Sequence, residues 1–329
     1  MFTICGETLR PGEKRQLFLR VPMDGLPHAA HFDGRTDGDY EIPATLICGA
    51  KPGTTLLVTA SIHAGEYVGI PAAIDAANRI DPAELAGNLI LMHSVNASGN
   101  LSHHYRTVPE DGFNLNNGYP GRADGSVGER IAAWFVREIF SNVDFIFDLH
   151  GGSPEEVMTP LVFFPNCPKV REAALAAAKS LSLRYALESV AQTGEYSYAA
   201  NALGIPGLLM ERGNGLYCTA EDVREETDEI FRLLDHLAML PYDAAQTPTR
   251  VFRESVYLEA DRRGLWYPAV QKDTDVRRGD PLGVITDYFG RVLREYFAED
   301  DGRVVYYTQG LAVEAGDALV AYCLLRSEL

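Results

Sequence analysis

Apolar runs of strand length alternate with segments of helical period from about residue 54 to residue 240. Leu56 to Ala60, Leu89 to Val95 and Val143 to Leu149 are nearly unbroken apolar stretches, the kind buried on both faces of a sheet. Between them, Val68 to Ile80 and Val127 to Phe140 carry helical periodicity. In the second, positions 131, 135, 136 and 139 fall on one face, and Ser126 followed three residues later by Glu129 is a capping-box pattern. The alternation predicts an α/β fold with a mixed, mainly parallel sheet flanked by helices.

The pattern changes after residues 242–249. From there on, short alternating strands are separated by Gly279-Asp280, Asp301-Gly302 and Gly316-Asp317 turns. This predicts a main domain over residues 1–249, including an N-terminal β extension, and a small all-β domain over 250–329. Within the latter, the phrase around Gly279-Asp280-Pro281-Leu282 is echoed around Gly316-Asp317-Ala318-Leu319. The echo resembles the barrel-sandwich hybrid of lipoyl and biotinyl carrier domains. A carrier needs an attachment lysine at the intervening hairpin, and residues 287–291 contain none. The carrier role is therefore disfavoured although the fold is shared.

Charge narrows the partners. With 29 Lys+Arg against 46 Asp+Glu the formal net charge is -17, which opposes binding to nucleic-acid phosphates and anionic membranes. No run approaches the roughly 20 apolar residues that cross a bilayer, and Met1 to Glu7 has no secretory character, so a cytoplasmic protein is expected. The five cysteines are dispersed and form no Cys-x-x-Cys pair; they read as reduced, buried and structural.

The chemistry concentrates at strand ends. His63-Ala64-Gly65-Glu66 directly follows the first apolar run. An imidazole and a carboxylate three residues apart on a strand that turns into a helix can clamp one metal ion. A catalytic zinc takes three protein ligands, and His150, closing the run Val143 to Leu149, is the candidate third. Asp148 projects to the same side of that strand and can orient a ligand from behind. Metal-activated water needs a general base, and Glu211 at the end of Gly207-Leu208-Leu209-Met210 fits, with a buried ion pair to Arg212 as the bland alternative. His93 reads as a packed or capping strand-end residue and His103-His104 as substrate-facing or surface groups; His28, His31 and His236 have no strand-end context. No Gly-x-Ser-x-Gly or Gly-x-Gly-x-x-Gly motif supports a serine hydrolase or a dinucleotide enzyme.

Together, His63-Ala-Gly-Glu66, Asp111-Gly-Phe-Asn-Leu-Asn116, Pro120-Gly121, Asp148-Leu-His150 and Glu211-Arg-Gly213 resemble the succinylglutamate desuccinylase/aspartoacylase family, relatives of the zinc carboxypeptidases. The resemblance runs from about residue 50 to the C-terminal β region. It implies a zinc-carboxypeptidase-like fold and one zinc ion per chain on His63, Glu66 and His150. It further implies Glu211 as base, Arg106 polarising the scissile carbonyl, and a possible homo-oligomer. The implied activity is hydrolysis of a small N-acyl amino acid or related amide, with a tyrosine among Tyr257, Tyr267, Tyr288 and Tyr306 assisting.

One departure stands out. The family's Asn-Leu-Asn-Arg, whose last two residues hold a substrate carboxylate, reads here Asn114-Leu115-Asn116-Asn117. An amide hydrogen-bonds a carboxylate but cannot neutralise it. Either Arg122 is the replacement or the substrate presents no carboxylate there and recognition at that subsite is uncharged; Asn116, Asn117 and Arg122 form the expected substrate-binding set. Rival readings are a metallo-carboxypeptidase for short peptides, disfavoured by Asn117, and a noncatalytic small-molecule-binding protein on the same fold.

Overall fold

The computed structural model describes residues 1–329. Its centre is a nine-stranded sheet built, in chain order, from β1 (Glu13–Val21), β2 (Tyr40–Cys48), β3 (Lys51–Ala60), β4 (Ala86–Met92), β5 (Phe145–His150), β6 (Leu161–Pro165), β7 (Tyr185–Ser189), β8 (Gly207–Glu211) and β9 (Arg250–Phe252). The spatial order is β9-β7-β6-β8-β5-β3-β4-β2-β1. Five of the eight pairings are parallel; β6 against β8, β4 against β2 and β2 against β1 are antiparallel. The predicted mixed, mainly parallel sheet is present.

Helices cover both faces, which is why the central strands are apolar on both sides. On one face, Leu56, Val58, Phe145, Phe147, Leu208 and Met210 pack under α1 (Gly69–Arg79), α3 (Arg171–Ser180) and α4 (Ala220–His236). On the other, Leu57, Ile146 and Leu209 meet α2 (Val127–Trp134) and the N-terminal strands. The expected helix from Val127 to Phe140 is α-helical only to Trp134. It widens into a π turn over Phe135–Ile139 while keeping Ile131, Phe135 and Ile139 buried. At its start the Glu129 carboxylate accepts from the Ser126 N–H at 3.0 Å and from its hydroxyl at 3.3 Å.

The C-terminal part forms two antiparallel sheets around a core that includes Trp266, Tyr296 and Tyr322. The echoed phrases fold alike: Asp280 accepts from the Arg277 N–H at 2.8 Å and Asp317 from the Glu314 N–H at 2.7 Å. Two strands cross between the sheet systems. Arg250–Phe252 completes the large sheet, whereas Glu156–Met158 pairs with Gly302–Thr308 of the small one, Tyr306 opposite Met158. That exchange holds the β region over the carboxyl ends of β5 and β8. No disulfide is formed, but Cys218 is exposed in the loop before α4 and Cys5 is partly exposed, so these two depart from the expectation that every cysteine is buried. No helix is long and apolar enough to cross a membrane.

Candidate active site

Register assembles the polar cluster. In the row β8-β5-β3, Glu211 lies opposite His150, and Asp148 opposite Thr59. Period-2 alternation puts Thr59, Asp148, His150 and Glu211 on the same face as Leu57, Ile146 and Leu209, where the apolar contacts stop and polar ones begin. The loop after β3 adds His63 and Glu66. It is fixed tightly: the Gly65 N–H donates to Asn100 Oδ1 at 3.0 Å, Asn100 Nδ2 donates to Ser61 Oγ at 2.8 Å, and Ser61 Oγ donates to the His63 carbonyl at 3.0 Å. Gly65 has φ +93, and a Cβ there would stand 2.8 Å from the Tyr105 ring. Only glycine makes that turn without strain.

His63, Glu66 and His150 bring their ligand atoms within 4.8 Å of one another, all three residues being buried. Nδ1 of His63 lies 2.8 Å from one Glu66 oxygen and Nδ1 of His150 lies 2.9 Å from the other. The outer nitrogens face polar partners: His63 Nε2 lies 2.9 Å from Asn114 Oδ1, and His150 Nε2 approaches Asp148 Oδ2 at 3.1 Å. Each ring is thus oriented from behind while its inner nitrogen faces a common point, the arrangement that metal-binding histidines adopt. Burial alone would raise the Glu66 carboxyl, but His63 and His150 outweigh it and hold the group well below the usual carboxylate range. Two imidazoles and one carboxylate on a shared point are a donor set that fits zinc.

A second layer lies behind His150. Thr59 Oγ1 is 3.2 Å from Asp148 Oδ1 and 3.2 Å from Glu195 Oε1. One hydroxyl proton cannot satisfy two carboxylates at once. Burial, followed by the charge of Asp148, drives the Glu195 carboxyl well above its usual range.

Glu211 sits across the cavity from the His/Glu/His cluster. Its Oε2 is buried and has no hydrogen-bond partner. Burial lifts this carboxyl well above the ordinary range; His150 opposes the rise, and Glu66, Glu156 and Asp148 add to it. The adjacent Arg212 pairs with Glu225, not with Glu211.

The cavity is lined by His63, Glu66, Arg106, Asn116, Glu156 and Glu211, and the β region closes it with Tyr257 and Tyr306. Arg106 has φ +72 and donates its N–H to the Ala64 carbonyl at 2.8 Å, tying it to the loop that carries His63 and Glu66. Tyr306 donates to Glu156 Oε1 at 3.2 Å. Tyr257 is 53% exposed, but its hydroxyl end is enclosed beside Glu211, and burial followed by that carboxylate's charge raises it. Tyr288 is 83% exposed, and neither it nor Tyr267 lines the cavity.

The expected substrate-binding residues separate. Asn116 lines both the central cavity and an adjoining one, and Asn117 lines the adjoining one alone. Arg122 lines neither: after the turn at Gly121 (φ +67) its side chain runs into solvent, 3.4 Å from Asp124, which corrects its expected place beside Asn117. Sequence reasoning missed Asn114, Thr59, Glu195 and Glu156. Asn114 stood inside the quoted motif, and the others had no signal that joined them to the site.

Comparison with known proteins agrees with this geometry. The catalytic-domain model of the succinylglutamate desuccinylase/aspartoacylase family matches residues 52–237. The N-alpha-acetyl-L-2,4-diaminobutyric acid deacetylase of Halomonas elongata is 27% identical over 313 residues, 92% of this chain and 89% of that one. Among solved structures, the product-bound ectoine utilization protein EutE (DoeB) of Ruegeria pomeroyi superposes with a TM-score of 0.84 at 25% identity, covering 96% of this chain and 97% of that one. A succinylglutamate desuccinylase/aspartoacylase from Rhodobacter sphaeroides gives 0.81 at 26% identity, covering 94% and 95%. A strand-end His/Glu/His cluster beneath a small β region, and a family model that spans more than half of the chain, lead to one conclusion: the protein belongs to the succinylglutamate desuccinylase/aspartoacylase family.

Proposed function

We propose that this protein hydrolyses the amide bond of a small N-acyl amino acid, with one zinc ion held by His63, Glu66 and His150. The observation that carries the reading is the unpartnered Glu211 carboxylate facing the His/Glu/His cluster across one cavity. When bound there, zinc supplies a Lewis acid, acidifies a water molecule, and draws nearby carboxyls back toward ionisation.

Glu211 accepts a proton from the attacking water and returns it to the departing amine, leaving a carboxylate and a free amine. Its position favours this work because no structural partner competes for Oε2. Arg106 stabilises the negative charge that builds on the carbonyl oxygen, a task for a cation that never loses its proton. Tyr306 and Tyr257 exclude water from one side and can donate to the same oxygen or to the amine. Asn116 orients the amino-acid portion between the two cavities.

The substrate side chain we infer to be cationic. Arg106 is the one arginine or lysine among the cavity's lining, against Glu66, Glu156 and Glu211. Glu66 is taken up by the histidines and Glu211 by proton transfer, which leaves Glu156. Ser153 N–H at 2.8 Å and Tyr306 fix its carboxylate, and no cation forms an ion pair with it. An ammonium group there is complementary, and the Halomonas relative's named substrate carries one. A peptide-cleaving role is weakened because the cavity is roofed by the β region instead of opening into a groove.

The test is turnover by zinc-loaded protein of N-acetyl, N-formyl and N-succinyl amino acids and short peptides. Release of amine from N-acetyl diamino acids is the expected outcome, and release from peptides alone would overturn the reading.

A further inference from the structure

We propose that Arg253 is the anchor for the substrate's carboxylate, supplying from the joint between the two sheet systems the charge that Asn117 does not carry. The inference rests on the deacylase reading and identifies the residue that recognises the amino-acid end.

The cavity adjoining the metal cluster is lined by Asn116, Asn117, Glu211, Arg253, Glu254 and Tyr257 among others, and Arg253 is its single basic residue. The two other carboxylates on its wall apart from Glu211 are already engaged by arginines, each of which also holds a second carboxylate. Glu188 takes a bidentate pair from Arg171 at 2.8 and 2.7 Å, and Glu254 takes one from Arg326 at 2.8 and 3.2 Å. Arg253 has no carboxylate within ion-pair distance and donates no side-chain hydrogen bond. Its guanidinium is therefore the one cation on this wall left free to pair with a bound anion.

The backbone beneath Arg253 is held firmly. Phe252 is fully buried at the sheet edge, the Arg253 N–H donates to the Ser327 carbonyl at 3.2 Å, and the Glu254 N–H donates to Ser327 Oγ at 3.1 Å. The next strand, Ser255–Glu259, carries Tyr257 into the same space. A preorganised base matters for a planar, two-pronged donor, since less freedom is lost when the carboxylate docks. Asn116 and Asn117, whose side chains carry amide donors, line the same cavity. The chain thus retains the parts of a carboxylate site, one cation and neighbouring amides, with the cation delivered from a different element. Both arginines are exposed, but Arg253 lines this cavity and Arg122, the nearer residue in sequence, does not.

The test uses a matched pair of compounds on zinc-loaded protein: N-acetyl-L-2,4-diaminobutyrate, and N-acetyl-1,3-diaminopropane, which lacks only the carboxylate. Arg253→Gln is expected to raise KM for the first by about 10-fold or more, the scale of one hydrogen-bonded charge, with kcat nearly unchanged and the second compound unaffected. Adding Asn117→Arg to Arg253→Gln is expected to restore KM for the first compound. Equal losses on both compounds, or none on the first, overturn the assignment. If wild type turns over neither, the deacylase reading fails separately, and calorimetric titration of both proteins with N-acetyl-L-2,4-diaminobutyrate decides the anchor. Weaker binding to Arg253→Gln supports it; equal affinity, or no binding to either protein, overturns it.

Discussion

The groups in and around the two cavities arrive by two routes. His150 and Glu211 stand at the ends of neighbouring strands, with Asp148 one pleat behind, and sheet register alone brings them together. His63, Glu66, Arg106, Asn114, Asn116 and Asn117 arrive outside the strands, and Tyr257, Tyr306 and Arg253 come from the β region and its joint. On the proposed reading the strands supply one metal ligand, its orienting carboxylate and the base. The loops supply the other two ligands, the cation for the carbonyl oxygen and the amides that meet the rest of the substrate. Chemistry needs sub-ångström constancy, which a hydrogen-bonded sheet supplies, whereas recognition tolerates exchange of one loop residue for another.

Breaking the strand-borne half has the largest expected effect. Glu211→Gln keeps the shape of the side chain and removes the base, so kcat should fall by about 10²- to 10⁴-fold while zinc content stays at one per chain. On the loop side, Arg106→Ala should cost about 10²- to 10³-fold in kcat, with KM changing less, as expected for a group that acts mainly on developing charge. Steady-state kinetics with an N-acetyl diamino acid checks both. A larger loss from Arg106→Ala than from Glu211→Gln would reverse the ranking.

The orienting residues sharpen the contrast further. Asp148→Asn and Asn114→Ala each leave a metal-facing histidine less well aimed, and each should weaken zinc binding by about 10- to 100-fold, read by competition with a chelator. Glu156→Gln should raise KM about 10-fold for a cationic substrate and leave a neutral N-acetyl amino acid of similar size unchanged, since one charged partner is removed.

The smallest effect lies at a strand end that the site does not use. His93 follows β4, lies 2.9 Å from Thr45 Oγ1, and is pushed by burial from the ordinary 6.5 down to about 4. Below pH 6.5 the unfolded chain takes up a proton that the folded chain resists until about pH 4. Folded stability therefore declines through that window as pH falls. His93→Gln should remove about 1 to 3 kcal/mol of that acid loss, measured from denaturant midpoints at pH 7 and pH 4.5.

Legibility in the sequence divides along the same line. Apolar runs located β3, β5 and β8, and the polar residue that ended each run stood out because a buried strand has no other use for it. His150 and Glu211 were legible for that reason. Arg106 and Asn116 came through motif resemblance, as loop positions carry no period. Arg253 and Glu156 escaped notice because they reach the cavity through strands exchanged between sheet systems, pairings about 65 and 150 residues apart in sequence that no local pattern encodes. Arg122 was expected beside Asn117 by nearness in sequence, which does not determine where a turn points its side chain.

The central claim is that the His63, Glu66 and His150 cluster holds a metal for amide hydrolysis with Glu211 moving the proton. Zinc stoichiometry and turnover of N-acetyl-L-2,4-diaminobutyrate, measured together on wild type and Glu211→Gln, test it most directly. One zinc per chain in both proteins, with turnover confined to wild type, is predicted. Turnover by Glu211→Gln at the wild-type rate, or by wild type stripped of metal, would contradict it.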